Sequence, residues 1–194
     1  MFRAKKSITL SILTAFTLMV SGCGPTNEAG PAEQPNQQQA AKSGAFDPEN
    51  AQEYGLKGAY IGQGIKEAMD ALKPDKYEFM DAVSRATLSI DQLAAGEGSV
   101  AMGMLMIGQS QLIVKVKAGA VQSIMTGGIS PADAPNITTS RGLALYDSPS
   151  KVKELYGEPA SAEKDWVYEG SKQRMTLSVH NDQVIGMKFE PVGQ

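Results

Sequence analysis

The chain has 194 residues, 42% hydrophobic and 20% charged, which is room for one ordinary domain or two very small ones. That composition excludes a collagen, a coiled coil and a multi-span membrane protein, and a net charge of −3 argues against nucleic-acid binding. One cysteine and one histidine exclude an intramolecular disulfide, a cysteine-cluster metal site and a histidine-rich one within a single chain.

The first element in chain order is a leader. Arg3, Lys5 and Lys6 precede an apolar run, Ser7 to Val20, which ends Val20-Ser21-Gly22-Cys23. A basic start, an apolar run and small residues form the layout of a secretory signal peptide, and the run is short for a spanning helix, which needs ~20 residues. The end of the run resembles a bacterial lipobox. That resemblance implies cleavage after residue 22 and acylation of Cys23 with diacylglycerol and palmitate chains, leaving the chain lipid-anchored outside the cytoplasm. Cutting there removes three cations and no acid, so the charge moves from −3 to −6. The acyl chains, each worth ~0.8 kcal/mol per buried CH₂, then do the anchoring.

Residues 23–53 read as the lipidated cysteine and a flexible tether. Gln34 to Ala41 offers almost nothing to bury, and Pro25, Pro31, Pro35 and Pro48 interrupt regular structure. About 30 such residues reach roughly 30 Å, enough to lift a domain clear of lipid head groups.

The remainder divides into two α+β halves, 54–130 and 131–194, each a helix followed by antiparallel strands. Gly58 to Leu72 and Gly142 to Leu155 share a start at an offset of 84: a glycine, apolar residues, a turn, then an amphipathic helix. In the first copy Ile65, Ala68, Met69 and Leu72 make the apolar face and Pro74 closes the helix. In the second, Asp147 or Ser148 caps the helix, Pro149 fits its first position and Val152, Leu155 and Tyr156 share a face. Gly157 and Pro159 stop it. Strands follow at Leu112 to Lys117, turning at Ala118-Gly119 into Val121 to Ile124. In the second half they run from Trp166 to Glu169, from Met175 to His180, and, after Asn181-Asp182, from Val184 to Phe189. The first half carries about 21 extra residues near Phe79 to Gly108, in which Met80 to Leu93 accommodates either a second short helix or a strand and turn, with Gly96-Glu97-Gly98 as a hairpin turn. Units this small need a shared core, so the halves are expected to pack as one globular body.

Gly142 to Phe189 resembles a repeat of small secreted and lipid-anchored bacterial proteins. The resemblance rests on Leu145, Asp147-Ser148, Val152, Leu155-Tyr156-Gly157-Glu158-Pro159, Tyr168 and Val184-Ile185. It is similar to uncharacterised lipoproteins of the YjgB kind and, more distantly, to BamE-type assembly factors and the tandem-repeat inhibitors of β-lactamase. These motifs determine fold. The resemblance implies a protein-binding or structural role in the cell envelope.

Residues with chemical potential fall short of a catalytic set. His180 sits beside the Asn181-Asp182 turn, and no Gly-x-Ser-x-Gly elbow presents a nucleophile. Met102, Met104 and Met106 share one face of a strand; core or interface packing fits them better than Cu(I), since no further soft ligand adjoins them in sequence. Gly58, Gly62 and Gly64 lack the ending of a phosphate loop. Asp147, Glu154, Glu158, Glu163 and Asp165 interleave with Lys151, Lys153 and Lys164 as a solvated mixed face. Binding residues are sought instead among Tyr146, Trp166 and Tyr168, because tyrosine and tryptophan combine large area with a polar tip. Of these, Tyr146 at a turn is the better surface candidate, while for Trp166, as for Tyr156, a core position is favoured.

The expectation is a non-catalytic, lipid-anchored module that needs no metal or cofactor and binds another envelope protein. The alternative is a small-ligand or wall-polymer binding domain, or a weak hydrolase built from dispersed carboxylates, either of which calls for an enclosed pocket with convergent polar groups.

Overall fold

A computed structural model describes residues 44–193; the leader, Cys23 and most of the expected tether lie outside the described residues. The architecture is α+β, with one seven-stranded antiparallel sheet, a two-stranded ribbon and three short α-helices. Among the described residues no helix is long and apolar enough to cross a membrane.

The chain enters through a 3-10 turn, Ala51–Glu53, capped by the Asn50 side chain, and a minimal hairpin, β1 (Gly55–Leu56) with β2 (Ala59–Tyr60). Helix α1, Ile65–Leu72, begins at Gly64 and buries Ile65, Ala68 and Leu72, the face its periodicity predicts. Its last carbonyls are closed by Lys73 in the left-handed conformation, one residue before Pro74. Strand β3, Lys76–Asp81, leads through a loop to the one-turn helix α2, Ile90–Ala94, which carries a complete capping box between Ser89 and Gln92. The undecided segment thus holds a strand and a helix together, and Gly96-Glu97-Gly98 leaves α2 toward the sheet, where a hairpin turn was expected. A meander of β4 (Ala101–Ile107), β5 (Ser110–Lys117) and β6 (Ala120–Gly128) completes the first half.

The second half also runs from a helix into a meander of three strands. A 3-10 turn, Ala134–Asn136, precedes α3, Pro149–Tyr156, whose N-cap is Ser148, with its hydroxyl accepting from the Lys151 N–H. Strands β7 (Trp166–Glu169), β8 (Gln173–His180) and β9 (Gln183–Pro191) follow as a second meander. Across the sheet the order is β3-β4-β5-β6-β9-β8-β7, so the final strands of the two halves meet in the middle. That seam is short: Ile124 faces Phe189 and Met125 faces Lys188. Thr126 lengthens it, its Oγ1 accepting from the Met187 N–H at 2.9 Å.

All three helices pack on one face of the sheet and share one core. Leu105, Leu112, Val114, Val121, Ile124, Leu177 and Phe189 point into it from the strands, and Ile65, Leu72, Leu93, Val152 and Tyr156 from the helices. Two glycines mark close approaches. The Phe79 ring lies over Gly103, where a Cβ would sit 2.2 Å from it, and the Pro48 carbonyl presses on Gly170, where a Cβ would sit 1.9 Å away.

Residues 44–53 correct the expected tether boundary, because they form a strap bound to the second half. Arg141 holds it. Its Nε and Nη2 donate to the two carboxylate oxygens of Glu53 at 2.9 and 2.7 Å, while Nη1 and Nη2 donate to the carbonyls of Gly44 and Ala45 at 2.6 and 2.7 Å. Arg141 is 4% exposed and Glu53 0%. The guanidinium lies 5.9 Å from the ring centres of both Phe46 and Tyr156. Phe46 packs edge-on against Tyr54, Tyr156 and Tyr168, at centroid distances of 6.1, 5.2 and 5.9 Å. Farther along, Glu49 accepts from the Ser171 N–H and hydroxyl.

Breaking one side of a buried ion pair strands the other charge, at a cost of about 3–5 kcal/mol. Arg141→Met should therefore lower the unfolding free energy by that amount in urea titrations, and the double variant Arg141→Met/Glu53→Met should lose less than Arg141→Met alone. A double variant that loses more would show that the charge pair is not the dominant element. At the β5–β6 turn, exposed Ala118 adopts φ +50°, a conformation that asparagine tolerates better. Ala118→Asn should raise stability by about 0.5–1 kcal/mol in the same assay.

Candidate functional site

The aromatic candidates separate. Tyr168 is buried: its ring joins the Phe46 cluster and its hydroxyl donates to the Gly157 carbonyl at 2.9 Å, while burial pushes its pKa up to about 12. It is a core residue, which corrects its reading as a contact residue. Trp166 is half-buried, with the Lys153 ammonium 5.5 Å from its ring centre. Tyr146 remains on the surface, in a left-handed backbone conformation at φ +71° that is uncommon for an aromatic residue.

Tyr146 lines an open cleft of about 600 Å³, together with Pro131, Pro135, Leu145, Asp147 and Lys151. Three of the polar side chains of this cleft are engaged within the fold. The Tyr146 hydroxyl donates to the Ile129 carbonyl at 2.6 Å, Asp147 accepts from the Ala144 N–H at 2.7 Å, and Lys151 pairs with Asp147 at 2.8 Å. The cleft is open where the ligand-binding alternative calls for an enclosed pocket. His180 is exposed at the end of β8. Among the described residues no group of three or more histidine, cysteine, aspartate or glutamate side chains is arranged to hold a metal ion.

The more distinctive surface is the face of the sheet that the helices leave open. Strand alternation fixes its composition. One row across the sheet runs Glu78, Met104, Ile113, Met125, Lys188, Thr176, Val167, and a second runs Met80, Met102, Lys115, Ser123. The first half's share of the face is therefore rich in methionine, with Glu78, Lys115 and Ser123 among its apolar side chains. Met80 is 36% exposed, Met102 42% and Met104 53%. The second half's share is polar, with Lys188 paired to Glu190 at 2.6 Å and Arg174 paired to Glu169. The methionine stripe expected in the core or an interface is thus excluded from the core.

Two further methionines of this face, Met80 and Met125, were not apparent from sequence. Their strands had first to be placed beside β4 and β5. The alternation of Met102, Met104 and Met106 was the available signal, but it gives no sign of which face the helices cover.

The edge of the patch is fixed by Asp81, next in sequence to Met80. Its carboxylate accepts from the backbone N–H groups of Ser84, Ser99 and Val83 at 2.7, 2.7 and 3.0 Å, and from both serine hydroxyls. The N–H bonds from Ser84 and Ser99 hold its pKa far below the usual carboxylate range. The loop after β3 then folds back, with the Leu88 N–H donating to the Phe79 carbonyl and the Asp81 N–H to Ala86, which covers the strand's outer edge. At the opposite end of β4, Asp133 accepts from the Ser110 and Ser130 hydroxyls and the Gln109 N–H, and these bonds lower its pKa.

The sequence matches no family model, and no curated protein matches it. Among solved structures, the fold is similar to a cysteine-rich secretory protein from Staphylococcus aureus, with a TM-score of 0.43 and 11% identity over 77% of this chain and 50% of that one. The chain spans about half the length of that protein.

A carboxylate whose folded pKa is depressed stabilises the fold above the ordinary aspartate range, and that contribution disappears as the pH falls through the folded pKa. Asp81→Asn should therefore be less stable than the natural chain at pH 7, with the gap closing below about pH 4. Thermal melts of both chains across that range test this, and a gap independent of pH would remove the carboxylate from the explanation.

Proposed function

We propose that this protein is a non-catalytic binding module of the cell envelope, anchored through lipidated Cys23, that engages another envelope protein with the open face of its sheet. The observation that carries this reading is the apolar patch of Met80, Met102, Met104, Ile113 and Met125 on a face that no helix covers. Exposed apolar patches of this kind mark contact surfaces, and flexible thioether side chains adapt to partners of varied shape. The leader ending Val20-Ser21-Gly22-Cys23 supports the anchor, and the polar residues that follow it support a tether.

We also read the halves as two copies of one α+β unit. Support comes from their shared order, a helix followed by a three-stranded meander, and from the meeting of β6 and β9 at the centre. The first copy adds β3 and α2, and with them the edge that carries Met80.

The test is in-cell photocrosslinking of the full chain, with a photoreactive residue at position 104 or at position 176 on the polar half of the same face. A defined adduct is expected at 104, weak or absent at 176, and diminished in a Cys23→Ala chain. A Met104→Lys change places a charge in the contact and should reduce adduct formation through position 113 roughly tenfold, as about 1.4 kcal/mol would. Equal adducts at 104 and 176, or none at either, would overturn the reading.

A further inference from the structure

We propose that Met80, Met102 and Met104 form a binding site for a soft monovalent cation, Cu(I) or Ag(I). In sequence only the alternating methionines of one strand were visible, with no other soft ligand beside them. The fold supplies it: Met80 of β3 is the direct cross-strand partner of Met102. Met104 is two residues along the same strand and therefore on the same face. All three side chains are accessible to solvent.

The geometry suits three-coordinate ligation. Directly paired residues place their Cβ atoms ~5 Å apart, and residues i and i+2 of a strand ~6.7 Å apart. With the diagonal pair ~7–8 Å apart, a point just above the centre of that triangle lies ~4.5 Å from each Cβ, which an extended methionine side chain and one bent metal–sulfur bond together span. Methionine has three rotatable bonds, so the sulfurs converge without movement of the backbone. Two features hold the backbone in register. Gly103 between the two β4 methionines is covered on the core side by the Phe79 ring, and Asp81 ties the end of β3 to Ser99 just before β4.

The chemistry selects the ion. Neutral thioethers are soft donors that favour Cu(I) over hard or borderline divalent cations. Two charged residues adjoin the triangle in register, Glu78 opposite Met104 and Lys115 opposite Met102. They offset one another, so a single positive charge is tolerated and a double one gains little. Thioethers also carry no proton to lose, so the site keeps its ligands at pH 5, where imidazole sites are protonated.

This inference goes beyond the partner-binding reading and does not need it, because the metal binds the chain alone. The test uses the full chain with Cys23→Ser, which removes the one thiol, carries ¹³C-methyl methionine and is kept in detergent and chloride-free buffer. Ag(I) serves as the air-stable probe. The methyl signals of Met80, Met102 and Met104 should shift together and saturate at one Ag(I) per chain, while those of buried Met175 and Met187 stay in place. Zn(II) at the same concentration should move none of them. Met80→Leu should weaken binding at least tenfold, and the triple leucine variant should abolish the saturating shift, with unchanged amide spectra elsewhere showing that the fold persists. Saturation that survives in the triple variant, shifts spread equally over Met106 and Met125 without a plateau, or no shift at all would each overturn the site.

Discussion

The fold depends on one charge that is taken out of water. Arg141 belongs to the second half, yet four of its five donors reach back to Glu53 and to the carbonyls of Gly44 and Ala45, and its guanidinium lies over the rings of Phe46 and Tyr156. Guanidinium is suited to this position because its planar fork matches a carboxylate bidentately while its faces stack on rings. A lysine, with its three donors on one nitrogen, could not grip the carboxylate bidentately and reach both carbonyls as well. The arrangement closes the aromatic cluster over α3 and joins the entry of the chain to its second half. The seam between the halves is then supported from two sides, by the shared core and by the strap. The β6–β9 ladder alone is short.

This division leaves the sheet two-sided in chemistry as well as in shape. On the helix side, side chains from both halves merge into a single core. On the other, the same alternation that directs Leu105, Leu112 and Val114 inward directs Met104, Ile113 and Lys115 outward. The halves differ there, since one presents thioethers and the other ion pairs. A likeness in plan between the halves therefore does not make them equivalent surfaces. The exposed thioethers of Met80, Met102 and Met104 lie in the first half, at the edge that β3 adds.

What could be read in the sequence was local. Helix α3 announces itself through Ser148, Pro149 and Gly157, and α1 through its apolar spacing and Pro74, because caps, spacing and stops act within a few residues. The hairpin turns at Ala118-Gly119 and Asn181-Asp182 were legible for the same reason. The strap was not. Its decisive bond joins residues 88 apart in the chain, and a polar, proline-containing stretch gives no sign that one of its glutamates is buried. Strand β3 was also obscure, since only Phe79 and Asp81 of its six residues are buried and one of those is charged. Tyr168 misled because an aromatic residue on a strand reads alike whether it faces a partner or a core. Periodicity tells which residues share a face of a sheet, and only the placement of the helices tells which face is wet.

The strap has a mechanical consequence. Whatever precedes Gly44 joins the domain at the carbonyl that Arg141 grips. Tension applied along the chain from that end would reach the guanidinium first, and then the Glu49 contact with Ser171 at the β7–β8 turn and the Glu53 carboxylate, before it reached any strand of the main sheet. A pull would first have to draw a buried charge pair into water, and only then peel β1 from β2. The sheet, with its open face, would keep its shape while the strap yielded. The clamp thus isolates the open face of the sheet from forces arriving along the chain from that end, as a strain relief does for a cable.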